Sequence, residues 1–301
     1  MIKKVLSLLG KIVLSAILLG YLLSKIEIGE LYLFFRSLPL QTIGIVLLLG
    51  FVNIGLQGLR FLYTCHQILP PFSLKQGIIA HLSGFLFRLV LPASIGEVGK
   101  AFLLPGTNKQ RIYAFLLDAF FSVGTLFFFF GIATYMLYPA MWYMLGFCLI
   151  FVLLFLIYRL LRKNSNFRKY VPEEVPYLKI GVMNILFSTL GFSAYIFQFW
   201  VVLYPYGIRL LDQAKVCFFI LGVGSIPLSF AGIGFSENAA NHALKAFSVP
   251  SEAAVGTALF IFFVNVILPA LAGVILLNFF SEVRYRHIRE LVKKMISKEK
   301  K

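Results

Sequence analysis

The chain has 301 residues, 60% apolar and 13% charged, with a formal charge of +16 and a mean hydropathy of +0.89. A soluble globular domain carries about 25% charged residues, so the composition excludes one and defines a polytopic membrane protein. The basic excess lies beside apolar segments and in the tail, where it sets orientation and attracts anionic lipid headgroups, and nucleic acid is discounted as a partner.

Met1 to Lys4 is basic, and Val5 to Leu23 is long enough to cross a hydrocarbon core of about 30 Å. No small-x-small cleavage site follows, so it reads as a first span and not as a signal peptide. Ser24 to Pro39 balances Lys25 and Arg36 against Glu27 and Glu30, as an outer loop does. Leu40 to Tyr63 crosses back. Within it Asn53, Gln57, Arg60 and Thr64 stand at spacings of four, three and four, which stacks them on one helical face. That stripe should face protein, either as interhelical hydrogen bonds or as a cavity wall. Pro70 and Pro71 punctuate the chain, and Ser73 N-caps a helix to about Leu91.

LPASIGEVGK, Leu91 to Lys100, combines proline, small residues, glycine and a glutamate in an apolar surround, and reads as a helix break followed by a short piece, Val98 to Leu104. Lys75 precedes this unit and Lys109 and Arg111 follow it, so it enters the membrane and returns to one side. Ile112 to Tyr138 is a phenylalanine-rich crossing containing Asp118. Pro139 and Ala140 turn outside, and Met141 to Tyr158 returns. Arg159, Arg162, Lys163, Arg168 and Lys169, against Glu173 and Glu174, mark a cytoplasmic loop.

Ile180 to Tyr204 crosses outward, and Gly207 to Asp212 can lie outside. Ala214 to Ser229 enters, IPLSFAGIGFSE (Ile226 to Glu237) breaks, and Ser236 to Phe247 returns. Pro250, Ser251 and Glu252 look like a helix start, ahead of a final span, Ala253 to Phe280. The tail, Ser281 to Lys301, holds eight Lys/Arg against three Glu. Parity then gives an all-α bundle with six full crossings and two re-entrant broken-helix hairpins in an inverted repeat. Residues 1–280 form one transmembrane domain with halves of about 1–138 and 141–280, followed by a basic cytoplasmic tail at 281–301. Both termini are expected in the cytoplasm, with the chain in the cell (plasma or inner) membrane.

Irregular backbone at membrane depth is tolerated only where protein or a wet cavity satisfies it, so two breaks carrying carboxylates mark a candidate functional centre. Glu97 and Glu237 each follow a glycine and are read as opening a short helix, where a carboxylate complements the positive helix end. Alternatively, the exposed amide ends with Arg88, Lys100 and Arg60 bind an anionic group while the glutamates balance charge. The readings are compatible. Lys100 in VGKA lacks the Ser/Thr of a phosphate loop, no H-E-x-x-H occurs, GFSEN fails G-x-S-x-G, and His66, His81, His242 and His287 have no ligand spacing. No metal or cofactor is expected. Cys65, Cys148 and Cys217 read as packing residues. His242 reads as a satisfied polar residue, and Phe127 to Phe130 as lipid-facing or packing surface.

Arg60, then LPASIGEVGKAFLL and IPLSFAGIGFSENAA, resemble the lysylphosphatidylglycerol synthase transmembrane region, or flippase-like membrane domain family, over nearly the whole chain. The resemblance rests on Pro92, Gly96 and Glu97 in the first motif and on Pro227, Gly232, Gly234 and Glu237 in the second. Lys100 stands where an arginine is usual, keeping the charge but losing the bidentate fork. Asp118 is followed by Ala119 where the family often has arginine. The resemblance implies movement of a lipid or lipid-linked headgroup between leaflets through a midplane polar cavity. The site then comprises Arg60, Arg88, Pro92, Gly96, Glu97, Lys100, Asp118, Pro227, Gly232, Gly234 and Glu237. Expected partners are membrane lipids, anionic or lipid-linked, with a homo-oligomer and a separate lipid-modifying enzyme both compatible. Synthase members join this region to a soluble aminoacyl-transferase domain; here a basic tail follows, and transferase activity is not expected. The alternatives are a membrane-embedded transferase of lipid-linked substrates and a small-solute or ion transporter.

Overall fold

A computed structural model describes residues 28–90, 93–138, 175–225 and 232–279. The elements are α1 (Ile28–Ser37), α2 (Leu40–His66), α3 (Leu74–Val90), α4 (Ala93–Phe102), α5 (Asn108–Leu137), α6 (Tyr177–Leu203) with a 3₁₀ turn (Tyr204–Tyr206), α7 (Leu210–Gly224), α8 (Phe235–Lys245), α9 (Ser251–Phe262), a π-turn (Phe263–Ile267) and α10 (Leu268–Phe279). Among the described residues every element is helical. The expected spans at Val5 to Leu23 and Met141 to Tyr158, the loop at Arg159, and the tail lie outside the described residues.

Local chemistry accounts for the helix starts. The Gln76 N–H donates to Ser73 Oγ (3.2 Å) while the Ser73 N–H donates to Gln76 Oε1 (3.1 Å), a capping box that opens α3 as the sequence predicts. Thr107 and Gln110 repeat the device at the start of α5. Pro39, Pro176 and Pro250 occupy the N-cap positions of α2, α6 and α9, where a missing N–H costs nothing because no intrahelical bond would use it.

Among the described residues four helices are long and apolar enough to cross a membrane: Leu40–His66, Asn108–Leu137, Tyr177–Tyr206 and Ser251–Leu277. At 1.5 Å per residue each is about 40 Å or more in length. Between the first two lies the packed pair α3–α4, and between the last two the packed pair α7–α8. The packing is reciprocal. α2 lies along α6, α3 of the first half packs on α10 of the second, and α7 of the second packs on α5 of the first. At the α3–α10 contact a Cβ on Gly273 would come within 2.5 Å of the Leu82 carbonyl oxygen, so only glycine permits this backbone approach. At the α5–α7 contact Phe129 stacks on Phe218 at 4.7 Å, and Gly222 accommodates the Phe130 ring.

The apolar interior falls into two clusters. One gathers Phe199, Val216, Ile220, Leu244 and Ile261 around α6 to α9, and reaches Val46 near the start of α2. The other gathers Phe61, Leu62, Leu104, Phe115 and Ile180 around the other end of α2. The polar stripe of α2 runs between them.

One expectation at the first break is corrected. α4 is helical from Ala93 through Gly96 and Glu97 to Phe102, so Glu97 is its fifth residue and does not open a helix after a glycine break. Nor does the helical piece start at Val98. Glycine inside a helix costs only about 1 kcal/mol relative to alanine, so the helix that begins at Ala93 runs on through Gly96. At the second break the expectation holds: Gly234 is the N-cap of α8 and Glu237 sits in its first turn.

Candidate functional site

The 4-3-4 stripe of α2 faces protein, and each member finds a partner. Asn53 Nδ2 donates to Asn265 Oδ1 (2.7 Å), and Gln57 Nε2 to Asn53 Oδ1 (3.1 Å). Thr64 Oγ1 accepts from Asn184 Nδ2 (2.8 Å). The amide chain continues through Asn265 Nδ2 to Gln198 Oε1 (2.8 Å) and from Gln198 Nε2 to the Val46 carbonyl (2.9 Å). It joins α2, α6 and the π-turn, and Asn265 Nδ2 also donates to the Ile261 carbonyl (2.9 Å).

One turn from Gln57, Arg60 makes the charged centre. Its Nε donates to Asp118 Oδ1 at 3.0 Å, and one terminal nitrogen donates to Ser188 Oγ at 3.1 Å. Lys100, in the last turn of α4, brings its Nζ to 3.8 Å from Asp118 Oδ2 and 4.2 Å from the Phe61 ring centroid, with Phe115 on another side at 5.8 Å. Three helices from the first half and α6 from the second thus converge on one carboxylate. Asp118 lies ten residues, about 15 Å, into α5, and Arg60 six residues, about 9 Å, before the end of α2, which places the cluster well inside the helix bundle. The Asp118 side chain is 2% exposed, whereas Arg60 and Lys100 keep 13% and 10%. Among the described side chains two cations therefore share one acid, formally +1, and both keep slight exposure.

His81 closes the cluster from α3. Its Nε2 donates to the Ile54 carbonyl at 3.1 Å, leaving a buried Nδ1 without a partner, and its ring stands between Phe61 and Phe85.

The second break is separate from this centre. The Gly234 N–H donates to Glu237 Oε2 at 2.6 Å, and Ser236 Oγ donates to the same oxygen at 3.1 Å. Gly232 and Gly234 have φ of +87° and +85°, a region that disfavours any side chain. Glu237 is wholly buried.

Of the predicted site residues, the structure brings together Arg60, Lys100 and Asp118, and it places Gly232, Gly234 and Glu237 in a second locus. Arg88 is in the last turn of α3. Gly96 is a helical residue of α4. Pro92, Pro227 and the Glu97 side chain lie outside the described residues. Sequence reasoning missed Asn184, Ser188, Gln198 and Asn265, all buried. A signal was present for three of them. Asn184, Ser188, Gly191, Tyr195 and Gln198 repeat the spacing of four and three seen on α2, and the two stripes face each other across the α2–α6 contact. Cys65 and Cys217 are buried free thiols, as expected of packing residues; Cys148 lies outside the described residues. His242 stacks on Tyr138.

A chain whose described residues form only helices, four of them apolar and of bilayer length, and whose ionised side chains meet between those helices, is an integral membrane protein. The model of the family described as lysylphosphatidylglycerol synthase TM region matches residues 8–273, and the chain belongs to that family. No curated protein matches it.

Proposed function

We propose that this protein moves an anionic or lipid-linked headgroup across the bilayer, the headgroup passing through the polar interior while the acyl tails stay in lipid. The observation that carries the reading is the Arg60–Lys100–Asp118 cluster. A lone ion pair would neutralise itself, but two partly accessible cations on one buried acid leave a positive site suited to a phosphate. The reciprocal packing of α3 on α10 and α7 on α5 supports an inverted repeat of six crossings and two re-entrant hairpins, in which the two halves rock against each other to alternate access.

Lipid movement is measured by dithionite quenching of fluorescent phosphatidylglycerol and phosphatidylcholine in reconstituted vesicles. Wild-type protein should move the anionic probe faster, and Lys100→Gln should erase that preference. Equal movement of both probes by wild type and variant would overturn the reading. Orientation is tested with Pro139→Cys and a tail cysteine in intact cells: an impermeant maleimide should label position 139 and not the tail. The reverse pattern would overturn the assignment of both termini to the cytoplasm in the cell membrane.

A further inference from the structure

Glu237 is 0% exposed, and its two oxygens differ. Oε2 holds the Gly234 N–H and the Ser236 hydroxyl; Oε1 is buried and, among the described residues, has no hydrogen-bond partner. Among the described residues, none of the ion pairs reaches it. The turn it holds is built on two left-handed glycines, with the Ser236 N–H bonded to the Gly232 carbonyl at 3.1 Å and Asn238 Nδ2 to the Gly234 carbonyl at 2.5 Å.

Among the described residues the titratable groups around it are few. Tyr195 of α6 lies within electrostatic range of Glu237, of Cys217 on α7 and of Arg88 on α3. Cys217 shares the core cluster of α8. On α9, Glu252 is felt by Tyr206 instead. On α8 itself, His242 is stacked on Tyr138. None of these supplies a carboxylate with a hydrogen-bonded cation.

A capping carboxylate of this kind has two forms with different holds on the backbone. The anion accepts charge-assisted bonds and sits at the positive end of α8. The neutral acid is a poorer acceptor and carries an O–H donor that the turn does not otherwise have.

We propose that Glu237 is a proton-binding site that drives the transport cycle: the carboxylate clamps the Gly232–Gly234 turn to the start of α8, and proton uptake at the spare oxygen releases the clamp. The step adds one proton from water to the carboxylate and breaks no covalent bond. It rests on the translocation reading and supplies its energy source, a proton gradient.

Two measurements on the same vesicles of phosphatidylglycerol and phosphatidylcholine separate the claims. Infrared difference spectra from acid to alkaline pH should show the carbonyl stretch of a protonated carboxylic acid that titrates in wild type, is lost in Glu237→Gln and is kept in Glu252→Gln. Glutamine keeps an acceptor for Gly234, so the variant should fold. Should it not, Glu237→Asp, which retains the acid but shortens its reach, must show a displaced titration. A titrating band unchanged in Glu237→Gln, or no band in wild type, overturns the proton site, as does an undisplaced titration in Glu237→Asp. In the second measurement an imposed pH difference should accelerate movement of the fluorescent phosphatidylglycerol severalfold, a sodium difference should not, and Glu237→Gln should lose the acceleration. Acceleration by sodium instead overturns the proton as coupling ion, and movement indifferent to pH overturns coupling while leaving translocation intact. No lipid movement under any gradient, with the band still lost in Glu237→Gln, overturns translocation and its coupling and keeps the proton site.

Discussion

In the α3–α4 pair a cation leaves its own unit to meet an acid on a neighbouring span, whereas in the α7–α8 pair an acid folds back onto its own backbone. Lys100 reaches Asp118 of α5 and the ring of Phe61 on α2; Glu237 reaches Gly234, three residues away. Two pairs that hold equivalent places in the chain thus use charge in opposite ways. The first spends its charge on contacts between helices, where a ligand can compete for it, and the second spends it on the shape of a turn.

The largest break in this comparison is Asp118→Asn, which removes the carboxylate that Arg60 and Lys100 share. Removing one partner from a buried pair costs about 3 to 5 kcal/mol, so thermal stability in detergent should fall steeply. No single change in the second pair should match it.

Next comes the glycine contrast. Gly232→Ala forces a left-handed φ on a side chain, at about 1 to 2 kcal/mol, and brings its Cβ to 2.9 Å from the Gly224 carbonyl oxygen. Gly84→Ala meets the Lys100 stem, Cδ at 3.0 Å and Cβ at 3.2 Å. Overpacking of about 1 to 3 kcal/mol is offset by about 1 kcal/mol of helix propensity gained with alanine, so it should cost less than Gly232→Ala, while changing the preference for anionic lipid because the ammonium moves relative to Asp118. Melting curves and the vesicle assay on both variants would separate turn strain from charge displacement.

Lys100→Met keeps the length of the side chain in its aromatic cage and leaves Arg60 on Asp118. Stability should change by less than about 1.5 kcal/mol while movement of phosphatidylglycerol slows. A parallel loss of stability and of transport would show Lys100 to be structural only. The smallest effect is expected at the start of α7, where Asp212 pairs with Arg209 and Lys215 at 3.0 and 2.7 Å. Arg209 is 87% exposed, and pairs of that kind are worth about 1 kcal/mol or less. Arg209→Gln, which leaves the Lys215–Asp212 pair in place, should therefore leave melting and transport close to wild type.

What the sequence made legible follows physical periodicity. Asn53, Gln57, Arg60 and Thr64 could be placed on a protein-facing side because polar groups at helical spacing in an apolar helix must find partners, and they do. Arg60, Lys100 and Asp118 were legible as site members, but not that one acid holds both cations, because the three stand on different helices. The start of α3 at Ser73 and of α9 at Pro250 came from capping chemistry. The error at Glu97 came from giving one weight to two glycines. Gly96 carries the ordinary conformation of a helix, whereas Gly232 and Gly234 carry positive φ, and nothing in the letters separates the cases. Asn265 was missed because Thr257 and Asn278, the other polar residues of its predicted span, stand eight and thirteen residues away and form no stripe with it, while its partners lie on α2 and α6.

The π-turn at Phe263–Ile267 has a bearing on the history of the chain. Such a turn holds one residue more than the α-helix would need, and it commonly marks a functional position. Deleting one residue among the five would let α9 and α10 run on as a single α-helix, with Gly256 still against Phe34 and Gly273 still against Leu82. Elsewhere in a span the same deletion would swing every following side chain by about 100°. The bulge is therefore the one stretch of this span where a codon can be lost without misaligning the flanks, and the loss would fall on Asn265 and its amide partners alone. Relatives with a shorter last span should lack that asparagine.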